Sequence, residues 1–230
     1  MIILAIDTAT LTAGVAVYGG EEIDSARVLS VRRARVTVHS EKLLGMIDEA
    51  LREAGVEASA LDGVACGAGP GSFTGLRIAL STAKGLCFAA GCPLALVSSL
   101  AALAARAPDG TVCATLDAYK AEVYAGVYRV SGGVPAPLGD ETALAPAALT
   151  DRLRGLESPL FIVGDGALRY PEIVVPGATL LEGDGSPGPQ EIARLGYERL
   201  AGGSADDLST SGPRYIRASE AELVKQRRSS

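Results

Sequence analysis

Tryptophan is absent from this chain, phenylalanine occurs three times and histidine once, at His39. With so few large rings, the core has to be built from Ala, Val, Leu and Ile. One histidine excludes most catalytic zinc and iron sites, which draw on two or more. A Ser-His-Asp triad would have to use His39, yet there is no Gly-x-Ser-x-Gly elbow, because Ser72 follows Gly71 directly. His39 itself reads as a polar residue at a helix entrance. The four cysteines, Cys66, Cys87, Cys92 and Cys113, form no C-x-x-C pair and sit in apolar runs. They read as buried, reduced thiols of a cytoplasmic protein. No hydrophobic run is long enough to span a bilayer; the best, 78–90, is short and carries Lys84. The apolar start, Met1 to Ile6, lacks a basic flank and a cleavage site, so it reads as a first strand. Positive charge is also scarce: 21 Lys and Arg against 27 Asp and Glu, net −6. Such a chain is a poor autonomous binder of nucleic acid, since phosphate contacts need a basic surface.

What is present is a 230-residue chain that is 48% hydrophobic, enough for one large or two small domains. Residues 2–6, 14–18 and 23–31 predict an antiparallel meander with Asp7-Thr8-Ala9-Thr10 at its first turn. Arg32, Arg33 and Arg35 follow as an exposed basic patch. From Ser40 the period becomes helical, with Leu43, Ile47, Ala50 and Leu51 on one face and Gly55 as the stop. Residues 61–66 predict a strand, 74–90 a helix, 94–97 a strand, and a short helix reaches about Arg106. Pro108-Asp109-Gly110 marks a boundary, dividing the chain into lobes 1–107 and 108–230. The second half reopens as the first did: a strand at 111–116, a turn bearing Asp117, and a strand at 122–130. Helices at 146–156 and 189–200, a strand at 160–163, a turn at Gly164-Asp165-Gly166 and a strand-like stretch at 174–181 complete the expectation. The charged tail that ends the chain is expected to be mobile.

The densest signal is Gly67-Ala68-Gly69-Pro70-Gly71-Ser72-Phe73-Thr74-Gly75, between an apolar strand and a long apolar helix. Glycines here allow positive φ and close approach, and Ser72 or Thr74 can cap the helix. Such a loop suits an anion at a helix N-terminus, and it equally suits close packing of helix on sheet. Neither standard nucleotide signature fits this loop: no Lys stands where G-x-x-x-x-G-K-[ST] needs it, and Ser72 falls where the third glycine of G-x-G-x-x-G would be. Asp7 and Asp117, each at a first-strand turn, can orient a metal-bound nucleotide or simply cap their turns. The 74–90 helix is apolar over more than half its circumference, so it is buried on two sides or packs on another subunit.

Taken together, Ile6-Asp7-Thr8-Ala9-Thr10, His39-Ser40-Glu41, Gly67-x-Gly69-Pro70-Gly71-Ser72-Phe73-Thr74-Gly75-Leu76-Arg77, Asp117-Ala118 with Glu122-Val123-Tyr124, and Tyr215-Ile216-Arg217 resemble the TsaB (YeaZ) family. The resemblance runs over essentially the whole chain, in order. It implies an α/β fold of the actin/Hsp70/sugar-kinase (ASKHA) type, with two lobes of mixed sheet flanked by helices. It also implies a role in making threonylcarbamoyladenosine beside the tRNA anticodon, as a subunit that is not itself the catalyst. The partners implied are the catalytic paralogue TsaD and the ATPase TsaE, with a homodimer when TsaD is absent and tRNA contacted only indirectly. No tightly bound cofactor or metal is implied, and ATP or ADP would be held weakly or only within the complex. A nucleotide would meet Asp7, Thr8, Gly69, Gly71, Ser72 and Asp117. The family dimerises through the helices equivalent to 40–54 and 74–90, which nominates Leu43, Leu44, Ile47, Leu51, Leu76, Leu80, Ala83 and Cys87. The chain departs from the family at Tyr119-Lys120, where a basic residue usually follows Asp-Ala directly. It departs from the actin-like phosphate turn at Ala9, which stands in a glycine slot. Two other readings stay open: an ATP-binding kinase or ATPase of the same superfamily, and a glycoprotease-like peptidase.

Overall fold

The computed structural model describes residues 1–20, 25–35 and 39–217, with backbone alone at 39–41. The expected start of the third strand at 23, the Ser40 cap, the His39 side chain and the charged tail lie outside the described residues.

The chain builds two sheets in succession. The first contains β1 (Ile2–Asp7), β2 (Thr12–Gly19), β3 (Arg27–Arg35), β4 (Gly63–Gly69) and β5 (Leu94–Ser98), in the order β3-β2-β1-β4-β5. The second contains β6 (Gly110–Asp117), β7 (Val123–Ser131), β8 (Val134–Pro137), β9 (Thr142–Leu144), β10 (Leu160–Val163) and β11 (Ala178–Leu180). Its order is β11-β10-β6-β7-β8, with β9 also pairing β7. In each sheet the first strand pairs antiparallel with the second and parallel with the strand that follows a helix. The two lobes therefore repeat one topology, and Asp7 and Asp117 end equivalent strands.

Among the described residues, six α-helices cover the sheets: α1 (His39–Ala54), α2 (Phe73–Ala90), α3 (Ser99–Ala104), α4 (Pro146–Leu153), α5 (Asp165–Arg169) and α6 (Pro189–Ala201). The period-two alternation of β1 decides which side chains they meet. Leu4 and Ile6 join a core cluster with Leu43 and Ile47 of α1 and Leu80 and Ala83 of α2. Ile3 and Ala5 face the other way, into a cluster with Ile192, Ala193 and Tyr197 of α6. Thus β1 is buried on both faces, as a continuous apolar run requires. In the second sheet, Val112 and Ala114 meet Leu100 and Leu103 of α3, while Cys113 faces Leu149 and Leu153 of α4.

Two connections cross between lobes. Helix α3 leaves the first sheet and packs on the second, and α6 follows the second sheet but packs on the first. Beyond α6 the segment 206–214 runs along the first sheet. Asp206 accepts from the Leu96 amide at 2.7 Å, Lys84 of α2 donates to the Ser211 carbonyl at 2.6 Å, and the Arg214 amide donates to the Ala68 carbonyl at 2.8 Å.

Local differences from the sequence expectation have simple causes. The third strand runs later than expected, and its arginines alternate along a sheet edge, where Arg32 pairs with Glu49 and Glu53. The expected turn at 164–166 opens α5, and the strand-like 174–181 shortens to β11 after a 3-10 turn at Pro171–Ile173. Both stretches are too short for periodicity to separate helix, turn and strand.

Candidate functional site

The glycine loop links β4 to α2, and its polar groups are largely used inside the protein. The Ser72 amide donates to the Ala9 carbonyl at 2.7 Å, and the Ser72 hydroxyl caps α2 by accepting from the Gly75 amide at 3.2 Å. The Thr8 hydroxyl donates to the Gly75 carbonyl at 2.6 Å. A Cβ on Gly75 would run into the Thr8 carbonyl oxygen, so glycine is what lets α2 sit this close to the first turn. Ala9 fills the adjacent space with its methyl against Gly71.

Asp7 is wholly buried. It accepts from the Ala9 amide at 3.1 Å and the Ser99 hydroxyl at 3.2 Å, and its second oxygen lies against Gly67. Burial raises its carboxyl to about 6, against the pull of the Ala9 and Ser99 hydrogen bonds and the positive charge of Arg33. Of the six residues nominated for a nucleotide, Asp7, Thr8 and Gly69 are enclosed and line neither cavity described below. Gly71, Ser72 and Asp117 do line a cleft, and the structure brings these three together.

That cleft lies between the two sheets and has two parts, which share Gly71, Ser72, Asp117 and Tyr119 as walls. One part, of about 430 Å³, is bordered by Thr10, Arg35, Asp165, Arg169 and Asp184. Here Asp117 accepts from the Tyr119 amide at 3.0 Å and meets Arg169 at 3.3 Å, while its own amide donates to Asp165 at 2.8 Å. Burial lifts the Asp165 carboxyl to about 6, with Asp117 and Asp184 pushing the same way. Thr10 bonds Ser186 at 3.0 Å, and Arg33 pairs with Asp184 at 2.7 Å, tying the lobes at this end. Among the described residues, no group of three or more His, Cys, Asp or Glu is arranged to hold a metal ion.

The other part, of about 420 Å³, lies between the start of α2 and residues 214–217. Phe73 stacks on Tyr215 at 5.1 Å; Arg77 lies 4.0 Å over the Phe73 ring and donates to the Tyr215 hydroxyl at 2.8 Å. Arg214 meets Glu141 at 3.4 Å, and Glu141 also accepts from Ser98 at 2.5 Å and Tyr128 at 2.6 Å. Arg217 meets Glu122 at 2.8 Å.

Sequence reasoning missed Asp165, Asp184, Arg169 and Arg214 as cleft residues. Asp165 had a usable signal, since α5 follows β10 as α2 follows β4, with Gly164 pressed on the Thr115 carbonyl as Gly75 is on Thr8. Arg214 had none, because it arrives from a distant part of the chain.

Among the residues nominated for a partner interface, Leu43, Ile47, Leu51, Leu76, Leu80, Ala83 and Cys87 are buried against the first sheet. They are core in this fold, and the apolar excess of α2 goes mostly to its own sheet. Leu44 alone of the eight faces outward, 63% exposed, and Phe88 at the far end of α2 is 87% exposed. Ser81, Gly85 and Ala89 share the outer side of α2 with it.

Two lobes of repeated topology around a cleft define the actin/Hsp70/sugar-kinase class of α/β folds. Component A of (R)-2-hydroxyglutaryl-CoA dehydratase from Acidaminococcus fermentans superposes with a TM-score of 0.52 at 10% identity, covering 87% of this chain and 99% of that one. A ROK hexokinase from Thermus thermophilus superposes at 0.50 and 16% identity, covering 88% and 100%. Closer likeness lies elsewhere. YeaZ from Pseudomonas aeruginosa superposes with a TM-score of 0.78 at 31% identity, covering 93% of this chain and 99% of that one. The tRNA threonylcarbamoyladenosine biosynthesis protein TsaB of Escherichia coli is 30% identical over 225 residues, covering 94% of this chain and 95% of the relative. That of Bacillus subtilis is 28% identical over 229 residues, covering 96% of each. The family model described as "TsaD: tRNA N6-adenosine threonylcarbamoyltransferase" matches residues 35–158. The chain belongs to the TsaB (YeaZ) family of tRNA threonylcarbamoyladenosine biosynthesis proteins.

Proposed function

We propose that this chain is a non-catalytic subunit of the cytoplasmic tRNA threonylcarbamoyltransferase complex, docking on a TsaD subunit through the outer face of α1 and α2. The observation that carries the reading is Phe88, 87% exposed on a helix whose inner face is already filled by the first sheet. An aromatic ring held in water on a rigid helix is the kind of residue that anchors an interface. Leu44 gives the neighbouring helix a second apolar point. The internal use of the glycine loop and the enclosure of Asp7 favour a scaffolding role for the first lobe over phosphate handling. With a net charge of −6, the chain would leave most tRNA contact to its partner. An interface of ordinary size buries on the order of 1,600 Å². TsaE would join the pair, and the same helical face would form a homodimer without TsaD.

Co-expression with TsaD followed by size-exclusion chromatography tests the proposal. Co-elution that Phe88→Glu abolishes, in a variant with unchanged circular dichroism, is the expected result. A folded variant that co-elutes like the wild type would place the interface elsewhere. Transfer of threonylcarbamoyl to tRNA by the chain alone would end the non-catalytic assignment.

A second reading, an ATP-binding kinase or ATPase, draws on the carboxylates Asp117, Asp165 and Asp184 at the cleft. Calorimetry with magnesium and ATP decides it: no saturable heat at millimolar nucleotide removes this reading.

A further inference from the structure

We infer that the cavity between the start of α2 and residues 214–217 binds a small planar aromatic anion: one ring system carrying a single carboxylate or phosphate. The inference is independent of partner docking. At about 420 Å³ the cavity is in the size range of small-molecule sites. One wall is the Phe73–Tyr215 stack, which Arg77 fixes from two directions. It is a rigid flat surface that a ligand ring can extend.

Tyr119 forms a second wall, and its backbone is strained. Tyr119, Lys120 and Ala121 have φ of 59°, 54° and 60°, three consecutive non-glycine residues in the left-handed region. Such conformations persist where surrounding contacts enforce them, and they gather at ligand sites. Here the Asp117 carboxylate and the Glu122 amide bond the backbone of Tyr119. The strain gains no burial, because the Tyr119 side chain stays 60% exposed at the cavity mouth. A ring kept in water at such a cost is suited to stacking on something that arrives.

The charged end of the ligand is set by Arg214 and Arg217, which line the same cavity. Each meets its own carboxylate through Nη1, Glu141 at 3.4 Å and Glu122 at 2.8 Å. A guanidinium has five N–H donors in a fork, so donors remain for a ligand oxygen. Among the described residues, the single acid on the cavity wall, Asp117, is already paired with Arg169.

Isothermal titration of the full chain with indole-3-acetate and with adenosine 5′-monophosphate tests the site. Indole and adenosine serve as uncharged controls. At least one anion is expected to saturate, and its uncharged control to bind at least about tenfold weaker, the loss of one charge-assisted hydrogen bond. Which of the two anions binds tells an aromatic acid from a nucleotide-derived ligand. Arg217→Gln should weaken the anion by a similar factor. Tyr119→Gly should raise the melting temperature by relieving strain and yet weaken binding, a pair of effects that a purely structural tyrosine would not show. No saturation by either anion at roughly 5 mM, or unchanged affinity in both variants, overturns the inference.

Discussion

Replacing Asp7 by asparagine should make this protein less sensitive to pH. Asp7 is enclosed by the first turn, Ser99 and Gly67, and burial raises its carboxyl from 3.8 to about 6. The folded state therefore holds the proton more tightly than the unfolded chain does. Between those two values the native state binds more protons, so its stability falls as pH rises from about 4 to 6 and then levels off. An acid moved that far carries on the order of 3 kcal/mol of penalty once ionised. Asparagine keeps one oxygen for the Ala9 amide and offers an N–H to the Ser99 hydroxyl, so the turn can keep its hydrogen bonds. Urea unfolding at a series of pH values measures the effect. The variant's stability minus the wild type's should grow by about 3 kcal/mol between pH 4 and 6 and stay constant above. Asp165, raised to about 6 as well, titrates in both proteins and cancels in the difference. Parallel pH profiles would mean that Asp7 is not buried as an isolated carboxyl, and the account of the first turn would fail.

Gly75→Ala should destabilise the fold by about 2–4 kcal/mol, since its Cβ meets backbone and not a yielding side-chain tip. In a domain of this size that is a drop of very roughly 5–15 °C in melting temperature. Phe88→Ala should leave stability within about 0.5 kcal/mol, as expected of an exposed site. It should weaken TsaD binding by about 2 kcal/mol, or roughly thirtyfold, if the ring is buried in the complex. The four cysteines are free and buried, and burial pushes every thiol up, Cys87 and Cys113 to about 12. Native protein should therefore be silent toward a thiol-disulfide reagent at pH 8, and all four thiols should react in guanidinium. Fast reaction of any one in the native state would contradict the packing around it.

Some of this molecule could be read along the chain because the relevant physics is local. The alternation Ile3-Leu4-Ala5-Ile6 makes β1 a doubly buried strand, and the structure covers one face with α1 and α2 and the other with α6. The repeated strand–aspartate–strand layout matches the repeated topology of the two sheets. The crowded glycines of 67–75 mark a close approach, and the packing of Gly75 on Thr8 is that approach. Tertiary structure decided the remainder. Periodicity says how much of α2 is apolar but not which neighbour covers it; seven nominated interface residues lie in the core, while Phe88 stands in water. Nothing near Asp7 in sequence announces that Ser99 and Gly67 will enclose it, whereas Asp117, at the equivalent strand end, borders the cleft. Arg214 and Arg217 reach the cleft only because α6 returns to the first sheet and carries the following segment across α2. A residue's type and local period set its need for burial or a partner. Which residue meets that need depends on contacts between segments far apart in the chain, and those exist only once both lobes are folded.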